Sequence, residues 1–450
     1  MATATTTESA TVELGDLAPR NSRVQGEAPV EEQAGGSTLP RADGGVQAWT
    51  FIFSAFILEC LIWGFPFSYG VFQEFYLNSP QSPFRDASEA SINAIGTITI
   101  GIQYIEGLGT MTITQRFPRQ FKLFMTVALI ACFGSLLLSS FATQVWQLVL
   151  LQGVVYGFAG GLLYGPIVFW LNEWFVERRA FAGSLIFGGS GLGGALFPII
   201  TNLLLQRFGF RWTLRVLALI VGVLGGIALF GAKPRLPVVR NSAPAPLNLK
   251  FTRSPVFIIV SVAIFVQGLA YFPVSLYIPS YAASLGFSSV NGTLALTVFN
   301  LATVVGQLIF GYYCDRGSYA AAMLGSSVVS TVLAFVLWGY AHNLGLLFLF
   351  AILFGGVSGG FSSIWPPAAK DVFADQASSP FFFFAAAKGL AAISGPFISA
   401  ALHPKNGSVL PASWAGYGFT TMEIFVGSMM FGTAVLSAAL ILARPSNKKE

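Results

Sequence analysis

Residues 146–170 have the sequence WQLVLLQGVVYGFAGGLLYGPIVFW, which contains no charged side chain. A helix needs about 20 predominantly apolar residues to cross the hydrocarbon core of a bilayer, and this stretch is longer than that. Four of its glycines lie about one helical turn apart, and we call them the glycine ladder: Gly153, Gly157, Gly161 and Gly165. In a helix they form a smooth face that lets another backbone approach closely.

A second glycine-rich stretch follows the same plan later in the chain. It contains Gly355, Gly356, Gly359 and Gly360, and it ends at Pro366-Pro367 much as the first ends at Pro166. Such repeats are typical of alternating-access carriers, which bind substrate near the midplane between two related helix bundles. Static helix packing is the alternative role of these glycines.

The composition is that of a membrane protein. Of 450 residues, 54% are hydrophobic and 10% are charged, and the mean hydropathy is +0.69. A soluble globular domain carries about 25% charged residues, so this chain has too few to cover soluble domains. The sequence therefore predicts an all-α integral membrane protein surrounded by a lipid bilayer.

Several functional classes are excluded by what the sequence lacks. The net charge of +5 forms no basic stripe with interleaved aromatic residues, which argues against nucleic acid as a partner. Three scattered cysteines (Cys60, Cys132, Cys314) and two histidines (His342, His403) make neither a disulfide framework nor a metal site. No GxxxxGK stretch followed by Ser or Thr is present, so we expect no P-loop binding of ATP. We predict no cofactor.

A hydropathy window predicts twelve spans and a division into two bundles. The predicted spans are 48–71, 92–114, 121–141, 146–170, 181–204, 213–232, 255–279, 292–314, 319–340, 345–366, 381–402 and 417–442. A polar linker at 233–254 separates an N-terminal six-helix bundle (48–232) from a C-terminal one (255–442). Residues 1–47 are polar and are expected to form a disordered tail, and 443–450 form a second, short tail.

Lys and Arg in the predicted loops set the orientation. With both termini in the cytoplasm, twelve of them lie in inner loops and five in outer loops, in agreement with the positive-inside rule. The sequons at Asn291 and Asn406 then fall outside, and Asn406 is the better glycosylation candidate because Asn291 lies close to the bilayer. We expect a multi-pass protein of the plasma membrane with both tails cytoplasmic.

Two segments resemble enzyme motifs but lie within apolar spans. The run from Gly189 to Gly194 satisfies GxGxxG, and Ser358 stands in a GxSxG pattern. The first motif needs a strand before it in a βαβ unit, and the second needs a histidine base within reach. Because neither condition is met, we predict that the protein is not an enzyme.

Six short segments together resemble the signature of one family of transporters. They are DGG at 43–45, GVFQE at 70–74, ERRA at 177–180, GSGLGGALFP at 189–198, GFRWTLR at 209–215 and GYYCDR at 311–316. Over about residues 43 to 442, the chain resembles the monocarboxylate-transporter-like branch of the major facilitator superfamily, as found in fungi. The resemblance implies an alternating-access carrier of twelve helices in two six-helix bundles, with Asp315 and Arg316 in a gating turn after the eighth span.

The charges that hold a carboxylate in proton-coupled lactate carriers of that family are missing here. The resemblance would place a lysine at Phe67, an arginine at Gln307 and the acidic partner of that arginine at Thr303. The turn after the second span has Gln115-Arg116 where Asp-Arg is expected. The resemblance therefore implies a carrier, but not one for lactate or pyruvate.

Three charged residues are predicted deep in the membrane: Glu59, Glu106 and Lys388. A charge near the bilayer centre costs about 2.5–3.5 kcal/mol on insertion scales, so each is a candidate for substrate binding or proton coupling. The alternatives are a neutral buried carboxyl for Glu59 and, for Lys388, a stem that snorkels to the interface. We expect Glu173 and Glu423, nearer the span ends, to reach the interface.

The resemblance also suggests a pair, because its fold brings the second and eleventh helices together. Glu106 and Lys388 lie at matching depth, roughly 11–12 Å from the inner ends of their helices at 1.5 Å per residue. We hypothesise a salt bridge between the bundles that breaks or re-forms during the cycle and that protonation of Glu106 would weaken. The alternative is that each side chain faces a different neighbour.

Uncharged polar and aromatic side chains are predicted to line the substrate path, with packing as the alternative role of each. They are Gln103, Tyr104, Tyr164, Gln267, Asn300, Gln307 and Trp365. Aromatic rings and amides suit a planar or amphiphilic organic molecule better than a small hydrated anion.

The sequence therefore predicts a secondary transporter of an organic acid or hydrophobic small metabolite, with a proton as a candidate coupling ion. The missing charges favour efflux of a secondary metabolite. Uptake of a monocarboxylate is the alternative within this class, and a non-transporting nutrient sensor on a carrier fold is the alternative outside it.

Overall fold

The computed structural model describes residues 39–176, 179–236, 249–373, 378–402, 414 and 417–443, and within these ranges it contains helices but no strand. The helices of the first half are α1 (Val46–Phe67), α2 (Tyr69–Asn78), α3 (Glu89–Arg116), α4 (Phe121–Ser139), α5 (Val145–Leu148), α6 (Tyr156–Trp174) and α7 (Arg179–Gly231). The helices of the second half are α8 (Pro255–Ser284), α9 (Ser289–Arg316), α10 (Tyr319–Val332), α11 (Leu344–Gly360), α12 (Trp365–Val372), α13 (Ser378–Leu402) and α14 (Thr420–Ala443). Short segments of other helix types join some of them: π-helices at Val149–Val155 and Leu333–Trp338, and a 3-10 turn at Phe361–Ile364.

Some of the predicted features lie outside the described residues. They are 1–38 and 444–450 of the two tails, 237–248 of the linker, and the sequon at Asn406.

Ten helical stretches in the described part of the chain are long and apolar enough to cross a bilayer. One of them, Leu185–Gly231, bends at Gly209, where φ is 69° and ψ is 179°. Glycine adopts this left-handed conformation without strain because it has no Cβ, and the bend lets the stretch cross twice. The second predicted span, α3, is not among the ten, although its 28 residues are enough to cross. The chain is thus an all-α membrane protein, and its twelve crossings stay a prediction that counts α3 and both arms of the bent stretch.

Two crossings are longer than predicted, and neither is ended by the prolines that it contains. α1 and α2 are nearly continuous past Pro66, since the Ser68 N–H still donates to the Gly64 carbonyl at 3.1 Å. Pro366 and Pro367 lie in the first turn of α12, where no intrahelical N–H is required. The first crossing therefore reaches Asn78 and the tenth reaches Val372.

The two halves of the chain pack their helices in the same ordinal pattern. In the first half α3 packs on α6 and α4 packs on α7, and in the second half α9 packs on α11 and α10 packs on α14. Among the described helices, the halves contact each other most extensively through α3 with α13, α7 with α9, and α2 with α8, and α2 also touches α9. We call the end of the bundle where α1 begins and α7 ends the linker end. We call the opposite end, where α2 and α8 end, the distal end.

The DGG segment forms part of a hydrogen-bonded turn at the linker end. Asp43, at φ 56°, donates its N–H to the Trp174 carbonyl at 2.9 Å and accepts the Val176 N–H at 3.0 Å. Glu173 accepts the backbone N–H groups of Arg235 and Leu236 at 3.0 and 3.1 Å. The expectation for Glu173 was therefore incomplete: its carboxylate fixes the chain that leaves α7, because two backbone donors there need an acceptor.

Large apolar side chains cover the outside of the bundle. Phe53, Ile130 and Phe230 are 65%, 64% and 78% exposed, and they belong to a long series of such residues on nearly every helix. A soluble protein rarely exposes apolar patches of this extent. The exposed face is therefore the face that meets lipid.

Candidate functional site

An aromatic cluster joins the two halves near the middle of the bundle. The Tyr104 ring on α3 lies 5.0 Å from the Trp63 ring on α1 and 6.2 Å from the rings of Phe272 on α8 and Trp365 on α12. The Trp365 Nε1–H is buried and has no hydrogen-bond acceptor among the described residues. Of the predicted path residues, Tyr104 and Trp365 are thus brought together.

Lys388 lies beside this cluster and is 2% exposed. Its ammonium donates to Oε1 of Gln267, and it lies 4.9 Å from the Tyr271 ring centroid and 5.1 Å from that of Phe272. Gln267 in turn donates to the carbonyl and the hydroxyl of Ser358, both at 2.9 Å. The snorkelling alternative is wrong, because the side chain runs into the bundle and ends on an amide of α8.

Glu106 faces the glycine ladder of the first half. It is 9% exposed, it accepts a hydrogen bond from the Thr110 hydroxyl one turn along α3, and a Cβ added at Gly161 would overlap its carboxylate. Gln103 lies one turn earlier on the same face and donates to the Ile62 carbonyl of α1 at 3.3 Å.

The hypothesised salt bridge between Glu106 and Lys388 is absent from this structure. Glu106 points to α6 and bonds to Thr110, whereas Lys388 points to α8 and bonds to Gln267. Matching depth on neighbouring helices was not enough, since the direction of a side chain around its helix depends on the residue's position in the 3.6-residue turn. The alternative, that each faces a different neighbour, describes the structure.

Glu59 is 1% exposed on α1; its carboxylate oxygens have no close hydrogen-bond partner among the described residues, and the nearby polar group that interacts with them is the Trp63 indole, one turn along the helix. A Cβ added at Gly189 would lie 3.0 Å from the Glu59 Cβ, so α7 closes over it without a side chain at that point. Tyr164 on α6 is half-buried and packs against the large apolar core of the molecule.

A small cavity lies between the halves on the distal side of Lys388. Its walls include Tyr69, Thr97, Tyr271, Phe272 and Asn300. The volume open to the centres of water-sized molecules is about 30 Å³, enough for roughly two waters. An organic substrate therefore requires the halves to move apart.

The two remaining residues of the predicted substrate path, Asn300 and Gln307, lie on α9 and make different contacts. Asn300 lines the cavity and donates to the Gly194 carbonyl of α7 at 2.7 Å, so it joins the halves. Gln307 is half-buried, and its backbone carbonyl accepts the Ser363 hydroxyl at 2.7 Å.

At the distal end the halves are held together by side chains that the sequence did not single out. Tyr277 on α8 donates to Glu89 Oε1 at 2.5 Å and accepts from Asn93 Nδ2 at 2.6 Å. Both partners are on α3, in the other half. The sequence carries no signal for this contact, because the partners are 188 and 184 residues apart.

Comparison with known proteins identifies the family. A sequence profile described as the Major Facilitator Superfamily matches residues 48–316, which is more than half of the chain. The chain belongs to the major facilitator superfamily.

Other members of the superfamily are similar over nearly the full length. The MFS transporter asaE of Aspergillus flavus is 27% identical, over 92% of this chain and 91% of its own. The aspyridones efflux protein apdF of Emericella nidulans is 26% identical, over 90% and 80%. The fold is that of the solved nucleoside transporter NupG, with a TM-score of 0.65 at 16% identity over 88% of this chain and 99% of that one. The protein is therefore a small-molecule transporter of the membrane.

The turn that the superfamily resemblance singled out lies at the linker end of α9. Asp315 and Arg316 are both exposed, and the Arg316 guanidinium lies 3.7 Å from the centroid of the Tyr312 ring, one turn back. At the other end of the same helix, Asn291 is half-buried in the first turn, and the sequon's Thr293 is 3% exposed. The gating role of the turn stays a prediction.

Glu423 was expected to reach the interface, and the structure corrects this. It is 0% exposed at the start of α14, and its carboxylate oxygens have no hydrogen-bond partner in the described part of the chain. Position near a helix end does not give access to the interface when the surrounding helices cover that end.

Proposed function

We propose that this superfamily member exports an organic acid or a hydrophobic secondary metabolite across the plasma membrane by alternating access. The observation that carries the proposal is the aromatic cluster of Trp63, Tyr104, Phe272 and Trp365, which stands where the halves meet. Flat rings suit a planar or amphiphilic molecule and offer little to a small hydrated anion. The relative named as an efflux protein for aspyridones supports export as the direction.

An untargeted metabolite comparison tests the function. Cells with and without the gene are grown side by side, and compounds are measured in the medium and in the cell pellet. Export predicts that at least one organic acid or hydrophobic metabolite is retained in the pellet and depleted from the medium when the gene is absent. Loss of a monocarboxylate from the pellet would instead show uptake. Unchanged metabolites with altered expression of nutrient genes would show a sensor.

We propose that export is coupled to protons and that Glu59 carries the coupling proton, with Glu106 as the second carboxyl of the same half. Glu59 is 1% exposed, and burial away from water favours the neutral, proton-bound form of a carboxyl. In vesicles a protonophore should abolish accumulation by wild type. Glu59→Gln should lose gradient-driven accumulation while retaining substrate exchange at equal pH. Glu423→Gln is the control, because its carboxyl is equally buried but lies in the first turn of α14. Accumulation by Glu59→Gln that still follows the gradient would contradict the role.

We propose that both termini are cytoplasmic, so that the linker end faces the cytoplasm. The basic residues of the predicted loops support this orientation. Epitope tags at the two termini should stain only in permeabilised cells, and Asn406 should acquire glycan. Staining of either terminus on intact cells would reverse the map.

A further inference from the structure

Lys388 is a buried cation surrounded by neutral groups. Its ammonium bonds to the Gln267 amide, two aromatic rings lie close to it, and it forms no ion pair with a described residue. Glu106, the carboxylate that its depth suggested as a partner, bonds to Thr110 instead. An ammonium in this position lacks the counter-charge that normally accompanies a buried charge in a membrane protein.

A buried donor without an acceptor belongs to the same cluster. The Trp365 Nε1–H is buried without a described acceptor, and Tyr104 packs against both the Trp365 ring and the Phe272 ring that lies over Lys388. A buried donor left without an acceptor is destabilising, because it has lost its hydrogen bond to water and gained none in return. An ammonium without a described counter-charge and an indole N–H without a described acceptor, both beside flat rings, favour a ligand that brings negatively charged acceptor oxygens on an aromatic body.

The rings of Tyr271 and Phe272 separate this cation from the central cavity. Both line the cavity, and both lie about 5 Å from the Lys388 ammonium. A ligand that opens the cavity between the halves therefore reaches Lys388 once these two side chains rotate. The carboxyls of the first half, Glu59 and Glu106, repel an anion when they are ionised, so its charged group turns toward α8 and α13, where Lys388 lies.

We propose that Lys388 and the Trp365 indole form a binding subsite for the carboxylate of a planar aromatic anion, whose ring system stacks on Tyr104 and Phe272. The proposal rests on the proposed transport function and specifies the charge of its substrate. The site then recognises the two parts of one molecule: the Lys388 ammonium binds the carboxylate, and the aromatic rings pack against the ring system.

Ligand-dependent thermal unfolding of the purified full chain in detergent tests this subsite. The probes are 2-naphthoate and 2-naphthamide, which share one ring system and differ in charge at neutral pH. Wild type should bind naphthoate at least about tenfold more tightly than naphthamide, because a hydrogen bond to a charged group is worth about 1.5–3 kcal/mol. Lys388→Met should lose that preference and Lys388→Arg should keep most of it. Lys370→Met, which removes an exposed lysine of α12, should behave as wild type.

A second variant covers the case in which Lys388→Met does not fold. Trp365→Phe keeps an aromatic ring and removes the N–H, so naphthoate affinity should fall several-fold while naphthamide affinity changes little. Equal binding of the two probes by wild type, no binding of either, or an unchanged preference in the folded Lys388 or Trp365 variant would overturn the proposal.

The subsite and the transport function fail in different ways. If metabolites are exported but the naphthoate preference does not depend on Lys388, the subsite is wrong and the exporter stands. If Lys388 binds naphthoate but no compound moves between pellet and medium, the subsite stands and the exporter is wrong.

Discussion

The two glycine-rich helices, α6 and α11, use the same residue type against different kinds of neighbour. On α6, Gly161 and Gly165 make room for the side chains of Glu106 and Thr110 on α3. On α11, Gly355 faces the Phe299 backbone carbonyl, which would lie 2.6 Å from an added Cβ. At these positions the first contact is a pocket for polar side chains and the second is an approach of two backbones, whereas Gly359 of α11 faces the Thr303 side chain much as Gly165 of α6 faces Thr110.

This difference shows which part of an internal repeat is kept and which part diverges. The packing of α3 on α6 and of α9 on α11 recurs in the two halves, so the helix order and spacing are shared. The buried charges do not recur at matching positions: Glu59 and Glu106 lie on α1 and α3 of the first half, whereas Lys388 and Glu423 lie on α13 and α14 of the second. Glycine preserves the spacing of the α3–α6 and α9–α11 pairs. The side chains of the neighbouring helix determine whether an ionisable group lies against the glycines.

The largest effect is expected where backbone meets backbone. A Cβ added at Gly306 on α9 would overlap the backbone of Gly356 on α11, and neither helix can move without disturbing its other contacts. Gly306→Ala should therefore lower the free energy of unfolding by about 1–3 kcal/mol or prevent folding. The measurement is thermal unfolding of the detergent-solubilised protein followed by size-exclusion chromatography.

Gly325→Ala on α10 is the control for that substitution, because nothing lies within 4 Å of its added Cβ. Equal stability of the two variants would show that the α9–α11 contact is looser than the structure indicates.

A substitution on the glycine ladder of α6 is expected to lower stability less than Gly306→Ala does, but to impair transport. Gly161→Leu would push against the Glu106 carboxylate, a flexible group that can move, so we expect the variant to reach the membrane and to transport poorly. Replacing Glu106 by Ala in the same chain should recover folding stability without recovering proton coupling. Substrate flux in vesicles and surface expression are the measurements.

Gly134→Leu on α4 is the matched control, because its added Cβ meets nothing within 4 Å. Normal flux through Gly161→Leu would mean that the ladder serves static packing only.

Composition and apolar runs were enough to predict the fold class, because any chain with so few charges and such long apolar helices must be placed in lipid. The neighbours of those helices were not predictable in the same way. Periodicity gives the face on which Gly161 lies, but only the tertiary structure shows that α3 covers it. Glu106 and Lys388 were correctly predicted to be buried, and their pairing was wrong because depth along a helix says nothing about direction around it. Glu423 was misjudged for a related reason, since burial at a helix end depends on distant segments.

A pair of double-mutant cycles sharpens the contrast between the halves. Lys388→Met and Gln267→Leu remove two groups that touch, so their effects on stability should be non-additive by about 0.5–3 kcal/mol. Lys388→Met and Glu106→Gln remove groups that face apart, so their effects should add within about 0.5 kcal/mol. Strong coupling in the second cycle would show that Glu106 and Lys388 meet in another conformation of the carrier.

The smallest effect is expected at the distal end, where the Tyr277 hydroxyl joins the two halves. Tyr277→Phe removes the donor to Glu89 and the acceptor for Asn93 but keeps the ring. A hydrogen bond contributes about 0.5–1.5 kcal/mol net, so the population open at the distal end should rise by roughly two- to tenfold.

The readout is the rate at which an impermeant thiol reagent, added outside, modifies a cysteine placed at cavity-lining Ser275 after Cys60, Cys132 and Cys314 are replaced. Tyr281→Phe is the control, because that hydroxyl lies one turn along α8 and donates to the Ala341 carbonyl within the second half. A faster modification rate in Tyr277→Phe alone would show that a contact between the halves stabilises the closed state. Equal rates in both variants would show that the closed state is stabilised elsewhere, by α7 and α9, where Asn300 bonds to Gly194.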